Sequence, residues 1–210
     1  SILTGNGIRT GAQYISGLQD DREVWTQGKR IKDVTSEPGM SRGISSLAGF
    51  LDKQHEKKYR DKVTYVDEDG IRCPLSFKTP KSKQDILDRG KAYYEWATWS
   101  HGMFGRTPDY KNASLMSFSA ARSFLDKGTV GKADFSQNML NFYNYARTND
   151  QILTHTLINP SVSHKQAAAG IYNATVALHV VKETDAGIIV SGARLLATLG
   201  PFADEIEVFP

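Results

Sequence analysis

The chain has 210 residues, 40 % hydrophobic and 23 % charged, with a formal charge of +3; it is long enough for one or two domains that bury a core in water. It has no run of about 18 apolar residues, and Ser1–Gly7 lacks the basic and apolar parts of a secretory leader, so the expectation is a cytoplasmic protein with no membrane partner. The cations are dispersed, which argues against a nucleic-acid partner, and the single cysteine, Cys73, excludes a disulfide framework or a thiolate-rich metal site within this chain.

In chain order, Thr10 and Gln13 have capping-box spacing and predict a short helix carrying Tyr14, Ile15 and Leu18, ended by Asp20 and Asp21. Val24–Thr26 and Lys29–Ile31 flank Gln27-Gly28, which reads as a tight hairpin. Pro38-Gly39 precedes a helix with Ile44, Leu47, Ala48 and Leu51 on one face, and His55 lies in a charged helical run beyond it. Val63–Val66 and Ile71–Phe77 surround Asp69-Gly70 and predict a second hairpin, with Cys73, Leu75 and Phe77 alternating inward. Cys73 then reads as a small buried hydrophobe rather than a reactive thiol.

Ser82, with Asp85 three residues on, caps a long helix reaching about Ser100, with Ile86, Tyr93 and Ala97 on one face and Trp96 and Trp99 read as core. Thr107-Pro108 marks another helix start, which puts Arg106 just before that helix and Tyr110 in its first turn. A helix from Ala133 to about Asn149 carries Phe135, Met139, Phe142 and Ala146 as packing residues. After Pro160 the texture turns to strands, over Thr175–Val181 and Ile188–Val190 with a turn at Asp185-Ala186-Gly187. The expected fold class is α+β: residues 1–160 a mostly helical domain with small hairpins, and residues 161–210 the first part of a β-rich domain. Its open apolar edge is expected to be covered by a further domain or another chain.

The motif scan finds no phosphate-binding glycine loop followed by lysine, no HExxH, no GxSxG and no paired cysteines, which sets aside P-loop and common hydrolase chemistry. His55, His101, His164 and His179 lack ligand-like spacing with carboxylates, so no metal is expected. Arg106 is more informative: Gly105 frees the backbone beside it, and the helix start adds partial positive charge, a place to hold an anion. Tyr110 offers a ring and one hydroxyl for gripping an aromatic alcohol. The plain alternative is that Arg106 pairs with Asp109 and Tyr110 packs. His155, in Leu153–Pro160, faces either a cleft or the core.

Gly105–Tyr110, reading Gly-Arg-Thr-Pro-Asp-Tyr, resembles a hallmark of the 4-hydroxyphenylacetate 3-monooxygenase oxygenase family. The resemblance continues through Thr10-Gly11, Tyr14, Leu18, Asp20, Arg22, Gly28–Thr35 and Pro38, then Thr154–Pro160 and Lys182–Arg194, in order along nearly the whole chain. It implies an acyl-CoA dehydrogenase-like fold, of which this chain holds the helical N-terminal domain and part of the β middle domain, while a C-terminal helical bundle lies outside it.

The resemblance also implies a two-component flavin-dependent monooxygenase that hydroxylates a phenol beside its existing hydroxyl, using O2 and diffusible reduced FAD, in preference to FMN, from a separate flavin reductase. By motif, Arg106, Tyr110 and His155 contact the phenolic oxygen. Flavin contacts fall on His155, Thr156, Leu157, Ser161, Val162, Ser163, His164 and Thr198. At His164 relatives usually carry arginine, whose ionic part in that contact histidine replaces only partly. The assembly implied is a homo-oligomer, a tetramer, or a complex with a chain carrying the C-terminal part. Two other readings stand beside it: a non-catalytic flavin-binding or assembly fragment, and the radical 4-hydroxybutyryl-CoA dehydratases, whose iron–sulfur cluster needs cysteines that this chain lacks.

Overall fold

The computed structural model describes residues 5–102, 108–128, 134–160, 176–184 and 187–209. Two compact units divide the chain, Ser1–Leu153 and Thr154–Pro210.

The first unit is mostly helical. Helix α1, Gly11–Gly17, starts at the expected capping box: the Thr10 hydroxyl accepts from the Gln13 amide, and the Gln13 side chain accepts from the Thr10 amide. Gly11 lies against helix α2, Ser41–Lys53, so closely that a Cβ there would sit 2.6 Å from the Ala48 carbonyl oxygen. Its amide donates to Asp52 Oδ1 at 2.7 Å. Tyr14 and Leu18 from α1, and Ile44, Leu47, Ala48 and Leu51 from α2, are buried as their spacing predicts.

Between these helices, β1, Val24–Thr26, pairs antiparallel with β2, Lys29–Ile31, through a turn whose Gln27 and Gly28 both have positive φ. Two consecutive left-handed residues give the reversal that suits strand twist. His55 lies in turns beyond α2, outside any helix.

Short helix α3, Arg60–Val63, leads into β3, Thr64–Val66, which pairs with β4, Arg72–Pro74. The second hairpin thus forms, but its second strand is shorter than expected. Proline ends the pairing because it lacks an N–H, and Leu75–Phe77 curls into a 3-10 turn in which all three residues are buried, instead of alternating. Helix α4, Lys83–Trp99, starts at Ser82, whose hydroxyl accepts from the Asp85 amide. Its buried positions are Ala92 and Trp96, the latter as expected, while the face expected of Ile86, Tyr93 and Ala97 is not the buried one; Ile86 is 61 % exposed. The face is chosen by Val63 and Leu75, which cluster with Ala92, a tertiary preference that periodicity alone does not carry.

Helix α5, Pro108–Ala120, and helix α6, Phe135–Thr148, complete the unit, α6 capped by Asp134 through the Gln137 amide. Phe77, Leu115, Ala146 and Leu153 form a buried cluster, and Met139, Phe142 and Tyr143 pack onto it. Three of the four residues expected on the α6 packing face, Met139, Phe142 and Ala146, are therefore in that core; Phe135 stays 39 % exposed.

The second unit is built of strands. β5, Leu153–Thr156, pairs with β8, Glu205–Val208, and β6, His179–Thr184, pairs antiparallel with β7, Gly187–Ser191. The division at 153/154 falls ahead of Pro160, where the sequence texture changes, because β5 finds its partner in β8. Gly192 has φ +108 and lies where a Cβ would be 2.3 Å from the Ala177 oxygen, so the crossing beside β7 requires glycine.

Candidate functional site

Of the sequence-predicted residues, Tyr110, His155, Thr156, Leu157 and Thr198 lie within the described structure; Arg106, Ser161, Val162, Ser163 and His164 lie outside the described residues. Tyr110 belongs to the first unit, and the other four to the second.

Tyr110 sits in the first turn of α5, which begins at Pro108 as expected, and its side chain is 56 % exposed. The two residues after it turn the other way: Lys111 is 4 % and Asn112 2 % exposed. Asn112 Nδ2 donates to the Ser76 hydroxyl at 3.0 Å, both groups being buried. This bond anchors the N-terminal half of α5, which carries Tyr110, on the Leu75–Phe77 turn. Spacing did not single out Ser76 or Asn112, since nothing local marks a pair 36 residues apart.

The approach to β5 is held by Asp150. It has φ +48, uncommon for a residue with a side chain, and is 3 % exposed. Its carboxylate accepts from the Arg9 amide at 3.0 Å and from Gln54 Nε2 at 2.8 Å, while Arg9 Nε donates to its carbonyl at 3.0 Å. The N-terminal segment is tied down alongside, the Gly7 amide donating to the Thr148 oxygen and the Ile8 amide to the Arg72 oxygen.

On β5, Thr154, His155 and Thr156 are all buried. The Thr154 hydroxyl donates to the Thr198 carbonyl and the Thr156 hydroxyl to the Leu195 carbonyl. The edge of Phe209 meets the His155 ring, with centroids 6.2 Å apart and planes at 87°. The Phe209 amide donates to the Thr156 oxygen at 3.2 Å. Arg194 gathers the same region, its guanidinium donating to Asn159 Oδ1 and to the carbonyls of Leu157 and Phe209. Beside β5, Ile158 and Leu195 form an antiparallel bridge and both are exposed, as are Leu196 and Thr198. These exposed residues offer apolar surface and one hydroxyl, a chemistry suited to a flat, largely apolar ring with a polar rim.

A separate cleft in the first unit, about 460 Å³, is lined by Tyr65, Asp67, Lys78, Asp85, Tyr143 and Arg147 among others. Its main charged groups are paired, although the buried Arg147 Nε finds no hydrogen-bond partner. Arg147 pairs with Asp67, Lys78 Nζ lies 2.5 Å from Asp85 Oδ1, and Tyr143 Oη donates to the Phe77 carbonyl at 2.6 Å. Cys73, fully buried, lies behind this network, with Arg147 Nη1 3.6 Å from its sulfur. Burial pushes the thiol up to about 12, against the smaller opposing pull of Arg147. It is an inert residue, as its sequence setting suggests. Among the described residues no group of three or more His, Cys, Asp or Glu side chains is placed to hold a metal ion, and no helix is long and apolar enough to cross a membrane.

A mixed helical and strand architecture with these motifs in this order defines a family. Residues 10–210 match the family described as 4-hydroxyphenylacetate 3-hydroxylase N terminal, and the chain belongs to it. The 4-hydroxyphenylacetate 3-monooxygenase oxygenase component of Thermus thermophilus is 38 % identical over 203 residues, covering 96 % of this chain and 40 % of that protein. A crystal structure of the oxygenase component (HpaB) of 4-hydroxyphenylacetate 3-monooxygenase, complexed with FAD and 4-hydroxyphenylacetate, superposes with a TM-score of 0.86 at 38 % identity, covering 96 % of this chain and 41 % of that one. An archaeal 4-hydroxybutyryl-CoA dehydratase from N. maritimus superposes with a TM-score of 0.78 at 18 % identity, over 97 % of this chain and 40 % of that one, a likeness of fold alone. The chain thus spans about two fifths of the length of these relatives.

Proposed function

We propose that this chain is the N-terminal part of the oxygenase component of a two-component flavin-dependent monooxygenase, acting on a para-substituted phenol such as 4-hydroxyphenylacetate. The observation that carries the reading is the agreement of sequence and fold with an oxygenase component solved with FAD and that phenol. In this reading the unit up to Leu153 is the helical domain, and the unit from Thr154, which begins ahead of the expected boundary at 160, opens the β domain of an acyl-CoA dehydrogenase-like oxygenase. The working unit is a homo-oligomer, a tetramer, or a complex with a chain carrying the C-terminal part, served in the cytoplasm by a flavin reductase.

The second unit fits a flavin. The exposed Ile158, Leu195 and Leu196 offer apolar surface, and the exposed Thr198 offers a hydroxyl. His155, Thr156, Leu157, Ser161, Val162, Ser163, His164 and Thr198 are assigned to hold reduced FAD. When bound, that flavin together with O2 supplies the oxygen atom to be transferred.

The protein's own task is to hold and orient the phenol. Arg106, before the first turn of α5, places a cation by the phenolic oxygen and favours the phenolate, which enriches the ring at the ortho carbon. Tyr110 is assigned to hydrogen-bond the phenolic oxygen and so to set the ring's angle, and His155 carries the same assignment from the family motif. The test is product formation by the complete oxygenase with reductase, NADH, FAD and a para-substituted phenol. Arg106→Ala and His155→Ala should each lower hydroxylation on the order of 100-fold while FAD reduction by the reductase continues. Hydroxylation at the parent rate in both variants refutes the cradle.

A further inference from the structure

We infer that Thr154 is a positioning residue: its hydroxyl presets the loop 195–199, and with it Thr198, in the shape that receives the flavin. The inference rests on the flavin reading above.

Thr154 and Thr156 lie two apart on β5 and therefore share one face of the strand. Both hydroxyls donate to backbone carbonyls of a single loop, those of Thr198 and Leu195. That loop is an unusual one. Leu196 has φ 66 and Leu199 φ 65, a left-handed conformation that a leucine holds only where its surroundings impose it. Two turn bonds tighten it further, Thr198 N to the Leu196 oxygen at 3.0 Å and Gly200 N to the Ala197 oxygen at 2.9 Å.

The carbonyls gripped by β5 leave the other side of the loop outward, where Leu196 is 68 % exposed and Thr198 is exposed too. A loop with two left-handed leucines, two of its carbonyls held by β5 and Leu196 and Thr198 exposed, is a receiving surface formed before its ligand arrives. Such a surface binds with less ordering cost than a loop that must be folded by the ligand. Without the Thr154 hydroxyl, the Thr198 carbonyl loses its donor and the loop is free to leave its left-handed conformations. Because the hydroxyl acts through backbone geometry, Thr154 itself need not touch the flavin.

The experiment compares the parent complete oxygenase with Thr154→Val and Thr154→Ser, reading FAD affinity by fluorescence titration and the unfolding midpoint without flavin. Valine keeps the shape and strand preference of threonine but lacks the donor. The expected result is FAD binding about tenfold weaker in Thr154→Val, the size of one hydrogen bond, with the flavin-free midpoint little changed and Thr154→Ser close to the parent. FAD binding by Thr154→Val equal to the parent's, or Thr154→Ser as weak as Thr154→Val, overturns the inference while leaving the flavin reading intact. Failure of the parent to bind FAD overturns both. If Thr154→Val does not fold, Thr154→Cys against Thr154→Ser makes the same comparison at nearly equal size: weaker binding with the poor thiol donor supports the inference, and equal binding overturns it.

Discussion

Arg147 and Asp67 form a part-buried pair at the cleft, their side chains 11 % and 7 % exposed. Burial by itself pushes the Asp67 carboxyl up, but the Arg147 guanidinium and the amides of Ile71 and Asp69 outweigh it and hold the group below its ordinary value. A carboxyl depressed in the folded state contributes stability above its unfolded pKa and loses it as pH falls through the folded value. Asp67→Asn leaves a largely shielded guanidinium without its counter-charge and should cost about 1–3 kcal/mol at neutral pH. In denaturant melts that difference should shrink as pH drops below about 4; a difference that stays constant down to about pH 2 would show that the pair's charge does not matter. Cys73 gives a second test at the same scale. With its thiol fully buried and pushed up to about 12, it should resist a thiol reagent in the native protein and react once the chain is unfolded. Native-state labelling at the rate of a free thiol contradicts this placement.

Helices and hairpins show which signals were local. The Thr10–Gln13 box, the Ser82 cap and the Gln27-Gly28 turn are set by residues within three positions of one another, and each is where the sequence places it. The features that escaped are those decided at a distance. The α4 face turns to meet Val63 and Leu75, and the strand expected over Ile71–Phe77 stops at Pro74 because the next three residues are all drawn into the core. At the candidate site, Tyr110 was legible from a proline-led helix start. The Asn112–Ser76 anchor beneath it and the grip of Thr154 on Thr198 join positions 36 and 44 apart, which no periodicity marks. The α1–α2 crossing is a further prediction of this kind. Gly11→Ala puts a methyl group 2.6 Å from the Ala48 oxygen and should destabilise the protein by about 1–3 kcal/mol through overpacking. An unfolding midpoint equal to the parent's would mean that the crossing opens without cost.

For the whole molecule, the two units carry different parts of the proposed chemistry: the start of α5 with Tyr110 in one, and a strand and pinned loop with His155 and Thr198 in the other. Because the chain spans 40 % of its Thermus thermophilus relative, the proposed activity is that of a full-length oxygenase, and the test uses one. The most direct measurement supplies that oxygenase with a flavin reductase, NADH, FAD, 18O2 and 4-hydroxyphenylacetate, and follows the product by mass spectrometry. Hydroxylation beside the existing hydroxyl, with one oxygen atom from 18O2 and dependence on FAD, is the predicted result. FAD reduced and bound with no hydroxylated phenol among para-substituted substrates, or a product whose new oxygen comes from water, contradicts it.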